Sequence, residues 1–186
     1  MESGQRAVND CFFNLFVYEM LIMMVKKHYE LPPEKQSQQD LCQEVETIGQ
    51  QLGVRSVDLL DIKNTTKLTN QQDIMKFIAM SVWPFFFAER INKLQTNNHG
   101  FFSLVDEQFR FLSRLSTDRP DSRDFKNCIQ VFQAFVVGII KGALQNLGND
   151  PVPDVKVDMR RLKDTDAFDS LEIKVTFGDK AAKRKK

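Results

Sequence analysis

Histidine, cysteine and clustered carboxylates carry most acid–base, nucleophilic and metal chemistry, and this 186-residue chain arranges them poorly for any of it. Its two histidines, His28 and His99, stand far apart, and no cysteine sits at ligand spacing from another. A zinc site would therefore need isolated residues to converge over long range. His28 falls at the end of a helical segment, where a cation offsets the dipole, and His99 belongs to a polar turn. Cys11, Cys42 and Cys128 each fall in a helical pattern, two of them among large apolar residues. That setting reads as buried structural thiol rather than nucleophile. The acidic pairs Asp118/Asp121 and Asp164/Asp166 lie in loop composition and read as solvated turns, not as a general acid and base. Gly138-Ile139-Ile140-Lys141-Gly142 lacks the glycine spacing and hydroxyl of a phosphate cradle. No catalytic residue, cofactor or metal is expected, and the chain is not read as an enzyme.

What remains is a chain built to bury surface. Hydrophobic residues make up 42% and charged residues 27%, with 16 Phe, which points to a large core or a buried interface. Lys and Arg total 26 against 25 Asp and Glu, but five of the basic residues fall within residues 180–186. The body before them is weakly acidic, which excludes a nucleic-acid binder working through a basic surface. Three scattered cysteines and a polar, acidic start without secretory character lead to the expectation of a reducing, cytoplasmic setting.

The elements follow from periodicity. A first helix is expected from about Val8 to Glu30, capped by Asn9 or Asp10, with two apolar stripes. One is Cys11, Leu15, Tyr18, Ile22 and Val25; the other is Phe13, Val17, Met20 and Met24. A helix apolar on two sides needs two neighbours, and a small domain supplies one. Leu31-Pro32-Pro33 ends it. A second helix, about Gln38 to Leu52, carries Leu41, Val45, Ile48 and Leu52 on one stripe and stops at Gly53. Val54–Ile62 reads as a further turn or two. Thr69 and Asn70 cap a third helix, about Gln71 to Gln95, which Pro84 kinks without ending. Phe101–Val105 and Phe109–Leu112 read as two strands joined at Asp106–Gln108. Phe125–Leu147 is an apolar helix in which Gly138 and Gly142 allow another backbone to approach. Alternation marks two last strands, Val155/Val157/Met159 and Leu171/Ile173/Val175/Phe177. The order ααα-ββ-α-ββ defines an α+β fold with helices on one face of a four-stranded antiparallel sheet. Residues 1–179 are read as one domain and residues 180–186 as a disordered basic tail.

Three separated blocks carry a specific resemblance: Asp73–Trp83, Leu94–Gly100 running into the Phe101–Leu112 hairpin, and Gly138–Gly148. Together they resemble the trafficking protein particle (TRAPP) small-subunit family, and most closely its subunit-six branch. The resemblance implies the α/β plait of those subunits. It further implies a non-catalytic scaffold subunit of a vesicle-tethering complex in endoplasmic reticulum-to-Golgi and Golgi transport. That assembly exchanges nucleotide on a Rab-type GTPase, which this chain would meet only through the complex. The implied partner is the central, acylated subunit of the same fold, paired as a heterodimer through the N-terminal helices, together with other TRAPP subunits. The stretch Asn64–Asp73, matching the position of that subunit's acylated cysteine, has none, so acylation is not expected here. The expected interface is Phe13, Val17, Met20 and Met24, with Val45, Ile48 and Leu52. Lys183, Arg184, Lys185 and Lys186 are candidates for contact with an anionic surface, and the complex would sit peripherally on Golgi and endoplasmic reticulum membranes. The competing reading is a lipid- or small-molecule-binding domain, with Trp83, Phe85, Phe86 and Phe87 lining an apolar tunnel beneath the helices.

Overall fold

A computed structural model describes residues 2–32, 34, 36–60, 68, 70–97, 99–107, 109, 123–161 and 168–178, and the side chains of residues 2–14, 123–124, 160–161 and 168–169 are outside that description. Helix α1 spans Glu2–Tyr29 and α2 Gln38–Leu59. Helix α3 covers Gln71–Phe77, a π-helical turn follows at Ile78–Val82, and α4 covers Trp83–Phe87. Strands β1 (Lys93–Thr96) and β2 (Phe101–Asp106) precede α5 (Arg123–Asn146), and β3 (Asp154–Arg161) and β4 (Phe168–Thr176) close the fold. The sheet is four-stranded and antiparallel in the order β1-β2-β4-β3. This is the expected α+β architecture and element order.

Several boundaries differ, each for a physical reason. Helix α1 begins at Glu2, well before the expected cap. Helix α2 does not stop at Gly53 but runs on to Leu59, because Gly53 is a packing position rather than a terminus. Ser37 caps it, its side chain accepting from the Asp40 N–H at 3.2 Å. Asn70 caps α3: its Oδ1 accepts from the Asp73 N–H at 2.8 Å, while its Nδ2 donates to the Asp73 carboxylate at 2.7 Å. Pro84 leaves the helical path unbroken from Gln71 to Phe87. The missing donor is absorbed by one wider turn, in which the Trp83 N–H reaches back to the Ile78 carbonyl. The path then ends at Ala88, in left-handed conformation with φ 58°, and not at Gln95.

The early hairpin is consequently built from β1 and β2, and Phe101–Asp106 pairs with Lys93–Thr96 rather than with a strand at Phe109. Residues 110–112 lie outside the described residues, and Phe109 is buried against Trp83 and Phe87. The turn is fixed by Asn97, whose Oδ1 accepts from the N–H groups of His99 and Phe101, and by Gly100 at φ 82°. The Gly100 carbonyl accepts from Phe177 N–H at 2.8 Å, which ties the hairpin to the end of β4.

The inward residues of the sheet, Phe102, Leu104, Val155, Val157, Leu171, Ile173, Val175 and Phe177, are all buried against the helical layer. Helix α5 is the centre of that layer. It is apolar enough by length and composition to cross a membrane, but most of its apolar stretch is buried, as suits a core helix. It runs parallel to α2, and the two backbones touch. A Cβ on Gly142 would lie 2.0 Å from the Gln50 carbonyl oxygen, on Gly138 2.1 Å from that of Glu46, and on Gly53 2.1 Å from that of Ile139. Polar side chains keep step along both flanks: Gln38 donates to the Asn127 carbonyl, Lys141 pairs with Glu46 at 2.6 Å, Gln50 donates to Gln145, and Asn146 donates to the Val54 carbonyl.

Candidate partner-docking face

Helix α1 lies against the helical layer through positions four apart, Val17, Leu21 and Val25, with His28 a turn further on; all are buried. Tyr18, Met20, Ile22 and Met24 are half-buried against the same core, with the Tyr18 ring 5.7 Å from that of Phe132. The side turned away carries Leu15, Phe16 and Met23, which are 45%, 59% and 61% exposed, with Glu19, Lys26 and Lys27 exposed among them. Tyr29 is anchored by its hydroxyl, which accepts from Asn127 Nδ2 at 2.6 Å, and Gln36 donates to the carbonyls of Tyr29 and Leu31. The end of the helix is thereby fixed to α5, so the exposed face is presented at a set angle.

The expected interface residues divide. Val17 and Val45 are buried in this chain's own core. Met20, Met24, Ile48 and Leu52 are half-buried against that core. The Phe13 side chain and Lys183, Arg184, Lys185 and Lys186 lie outside the described residues. Neither of the two stripes read from the sequence contained Phe16 or Met23. Glu19 interrupts their face and masks it as polar, while the pair's seven-residue spacing, two helical turns, was the signal available.

The other features offer little chemistry. Among the described residues no three His, Cys, Asp or Glu side chains gather closely enough to hold a metal ion. An open groove of about 420 Å³ runs along α2, lined by Gln39, Cys42, Gln43, Glu46, Thr47 and Gln50. Burial pushes the Cys42 thiol above its usual range, despite the Gln38 amide 3.8 Å from its sulfur, so thiolate is scarce there at neutral pH. Cys128 is half-buried on α5. Of the four aromatic residues weighed as a tunnel lining, Trp83, Phe86 and Phe87 pack on one another and on Phe109, with centroids 4.3 to 6.3 Å apart, and Phe85 faces outward. The Trp83 indole N–H donates to the buried Asp106 carboxylate at 2.9 Å.

The site is thus a helical layer on a four-stranded sheet with one apolar helix face left exposed among the described residues. The family described as "Transport protein particle (TRAPP) component" matches residues 13–177, and the chain belongs to it. Its relatives place it on the subunit-six branch. It is 35% identical over 86 residues to human trafficking protein particle complex subunit 6B, covering 46% of this chain and 52% of that protein. It is 33% identical over 104 residues to mouse subunit 6B, covering 56% and 63%, and 32% identical over 97 residues to zebrafish subunit 6b, covering 52% and 59%. The matched segment thus spans about half to three-fifths of these relatives. The fold is similar to that of a trafficking protein particle complex subunit 3 from Naegleria fowleri covalently bound to palmitic acid. That likeness has a TM-score of 0.62 at 15% identity and covers 92% of this chain and 97% of the other.

Proposed function

We propose that this chain is a non-catalytic scaffold subunit of a TRAPP vesicle-tethering complex, acting as one domain of residues 1–179. It docks through the exposed face of α1 on the central acylated subunit of the same fold. It meets a Rab-type GTPase only through the assembled complex, in endoplasmic reticulum-to-Golgi and Golgi transport, in the cytoplasm at those membranes. The observation that carries this reading is the exposure of Phe16 and Met23 on the same side of a helix whose opposite side is fully packed. Exposed large apolar groups on one helix face mark interaction sites, and aromatic and Met side chains are enriched at interface centres.

The test is co-purification of the full chain with the central subunit. Phe16→Asp combined with Met23→Asp puts two charges where burial leaves them unpaired, and should weaken the heterodimer by at least about 100-fold. Both positions face solvent in the free chain, so its circular dichroism should not change. Normal binding by this double variant would remove α1 from the interface.

The basic tail gives the assembled complex an electrostatic contact with anionic membrane, about 1 kcal/mol for each basic residue near the surface. Deleting residues 180–186 should lower retention on anionic liposomes at low salt, with no effect at high salt and none on the melting temperature. A deletion that unfolds the chain would instead make the tail structural.

A further inference from the structure

The groups that set the rotation of α1 differ from those it presents to solvent. Its buried column is Val17, Leu21, Val25 and His28. The half-buried flanks include Met20 and Met24, unbranched side chains that repack readily around a small roll of the helix. Among the described residues no glycine contact of the kind that locks α2 to α5 holds α1, and no ion pair does. Polar ties gather instead at its C-terminal end. The Tyr29 hydroxyl accepts from Asn127 Nδ2 on α5 at 2.6 Å. Gln36, in the connection to α2, donates from Nε2 to the carbonyls of Tyr29 at 3.0 Å and Leu31 at 2.6 Å. Gln38, in the first turn of α2, donates to the Asn127 carbonyl at 3.1 Å. The end of α1 and the starts of α2 and α5 are thereby tied together.

Resting on the reading of α1 as the docking face, we infer that the Tyr29 hydroxyl, Gln36 and Asn127 are positioning groups for that face. They hold the one rotation of α1 that turns Phe16 and Met23 toward a partner, and they act on the partner only through that rotation. Outer side chains lie about 5–6 Å from a helix axis, so a roll of about 20° carries them about 2 Å sideways. A shift of that size spoils contacts that depend on close packing. Without the clamp α1 samples several rotations of which one fits, and apparent affinity falls with the fraction of time spent there. The bond between Tyr29 and Asn127 and both bonds from Gln36 lie at the surface, so their loss takes little from the fold as a whole.

The experiment is calorimetric titration of the full chain with the central subunit, with melting temperatures measured alongside. Tyr29→Phe keeps the ring and removes the acceptor, and Asn127→Ala removes the donor. Each should raise the dissociation constant about five- to tenfold while the melting temperature holds within about 2 °C. The two together should lose no more than the larger single change, because both break one bond. Asn127→Asp should restore affinity to within about threefold, since the Tyr29 hydroxyl can donate to a carboxylate. Wild-type affinity in the single variants, additive losses, or an Asn127→Asp as weak as Asn127→Ala would each overturn the clamp. A melting temperature that falls in step with affinity would reduce these residues to a structural role and overturn it too. Phe16→Asp with Met23→Asp separates the two readings. If that variant binds normally, the docking face itself is lost; if it fails while the clamp variants bind normally, only the clamp is.

Discussion

Gly142→Ala should destabilise the chain even though alanine is the better helix former. In an open helix the exchange gains up to about 1 kcal/mol. Here the new Cβ would sit 2.0 Å from the Gln50 carbonyl oxygen and 2.9 Å from the Val54 nitrogen. Both are backbone atoms, so nothing local can swing aside and α2 must move off α5. Such overpacking costs about 1–3 kcal/mol, and more when two contacts are forced together. The expected net loss for Gly142→Ala with Gly53→Ala is about 3–5 kcal/mol, roughly 6–20 °C in melting temperature at this chain length. Gly178→Ala is the control, since a Cβ there meets nothing within 4 Å and the melting temperature should hold. A double variant as stable as wild type would mean that the helices do not touch along this line.

Trp83→Ala should cost about as much by the opposite route, through a cavity. The ring is buried against Phe87 and Phe109, and large-to-small aromatic changes in cores cost about 3–5 kcal/mol. Its indole N–H also donates to the carboxylate of Asp106, a buried group on β2. Trp83→Phe separates the two contributions: it keeps an aromatic ring and withdraws the donor, for an expected loss of about 1–3 kcal/mol. Urea unfolding followed by circular dichroism reads both, because the only tryptophan is the residue replaced. If Trp83→Phe is as stable as wild type, the indole-to-carboxylate hydrogen bond contributes nothing and the ring alone matters.

Much of the architecture was legible because burial writes a period. Val155, Val157, Leu171, Ile173 and Val175 alternate in sequence and are buried in the sheet. The glycines of α5 announced a close backbone approach at Gly138 and Gly142, and those are the contacts found. Strand β1 was not legible. Lys93, Leu94, Gln95 and Thr96 are mostly exposed on a sheet edge, so they carry no alternation, and their partner β2 rather than their own composition holds them extended. Gly53 misled because a helix stop and a helix contact use the same residue, and only the partner helix tells them apart. The docking face was half legible. That α1 has apolar residues on more than one side could be read directly, but which side stays exposed depends on the rotation of the helix. That rotation is set by contacts with α5 and α2 from distant parts of the chain. Val17 and Val45, expected on the outward face, are turned in by the fold, and Phe16 lay on neither stripe.

The close register of α2 and α5 also bears on how the chain comes to exist in time. The residues that lock the two helices are separated by 88 to 95 positions in sequence. At about 5–20 residues per second, a ribosome needs roughly 5–20 s to make the intervening chain. Throughout that interval α2 has been made, yet the surface that will cover its glycines does not exist. Helix packing that depends on so distant a segment has high contact order, which slows folding and lengthens exposure of apolar surface. The early helices must wait on the ribosome for α5, and the chain's yield in the cell should track how well chaperones hold them during that wait.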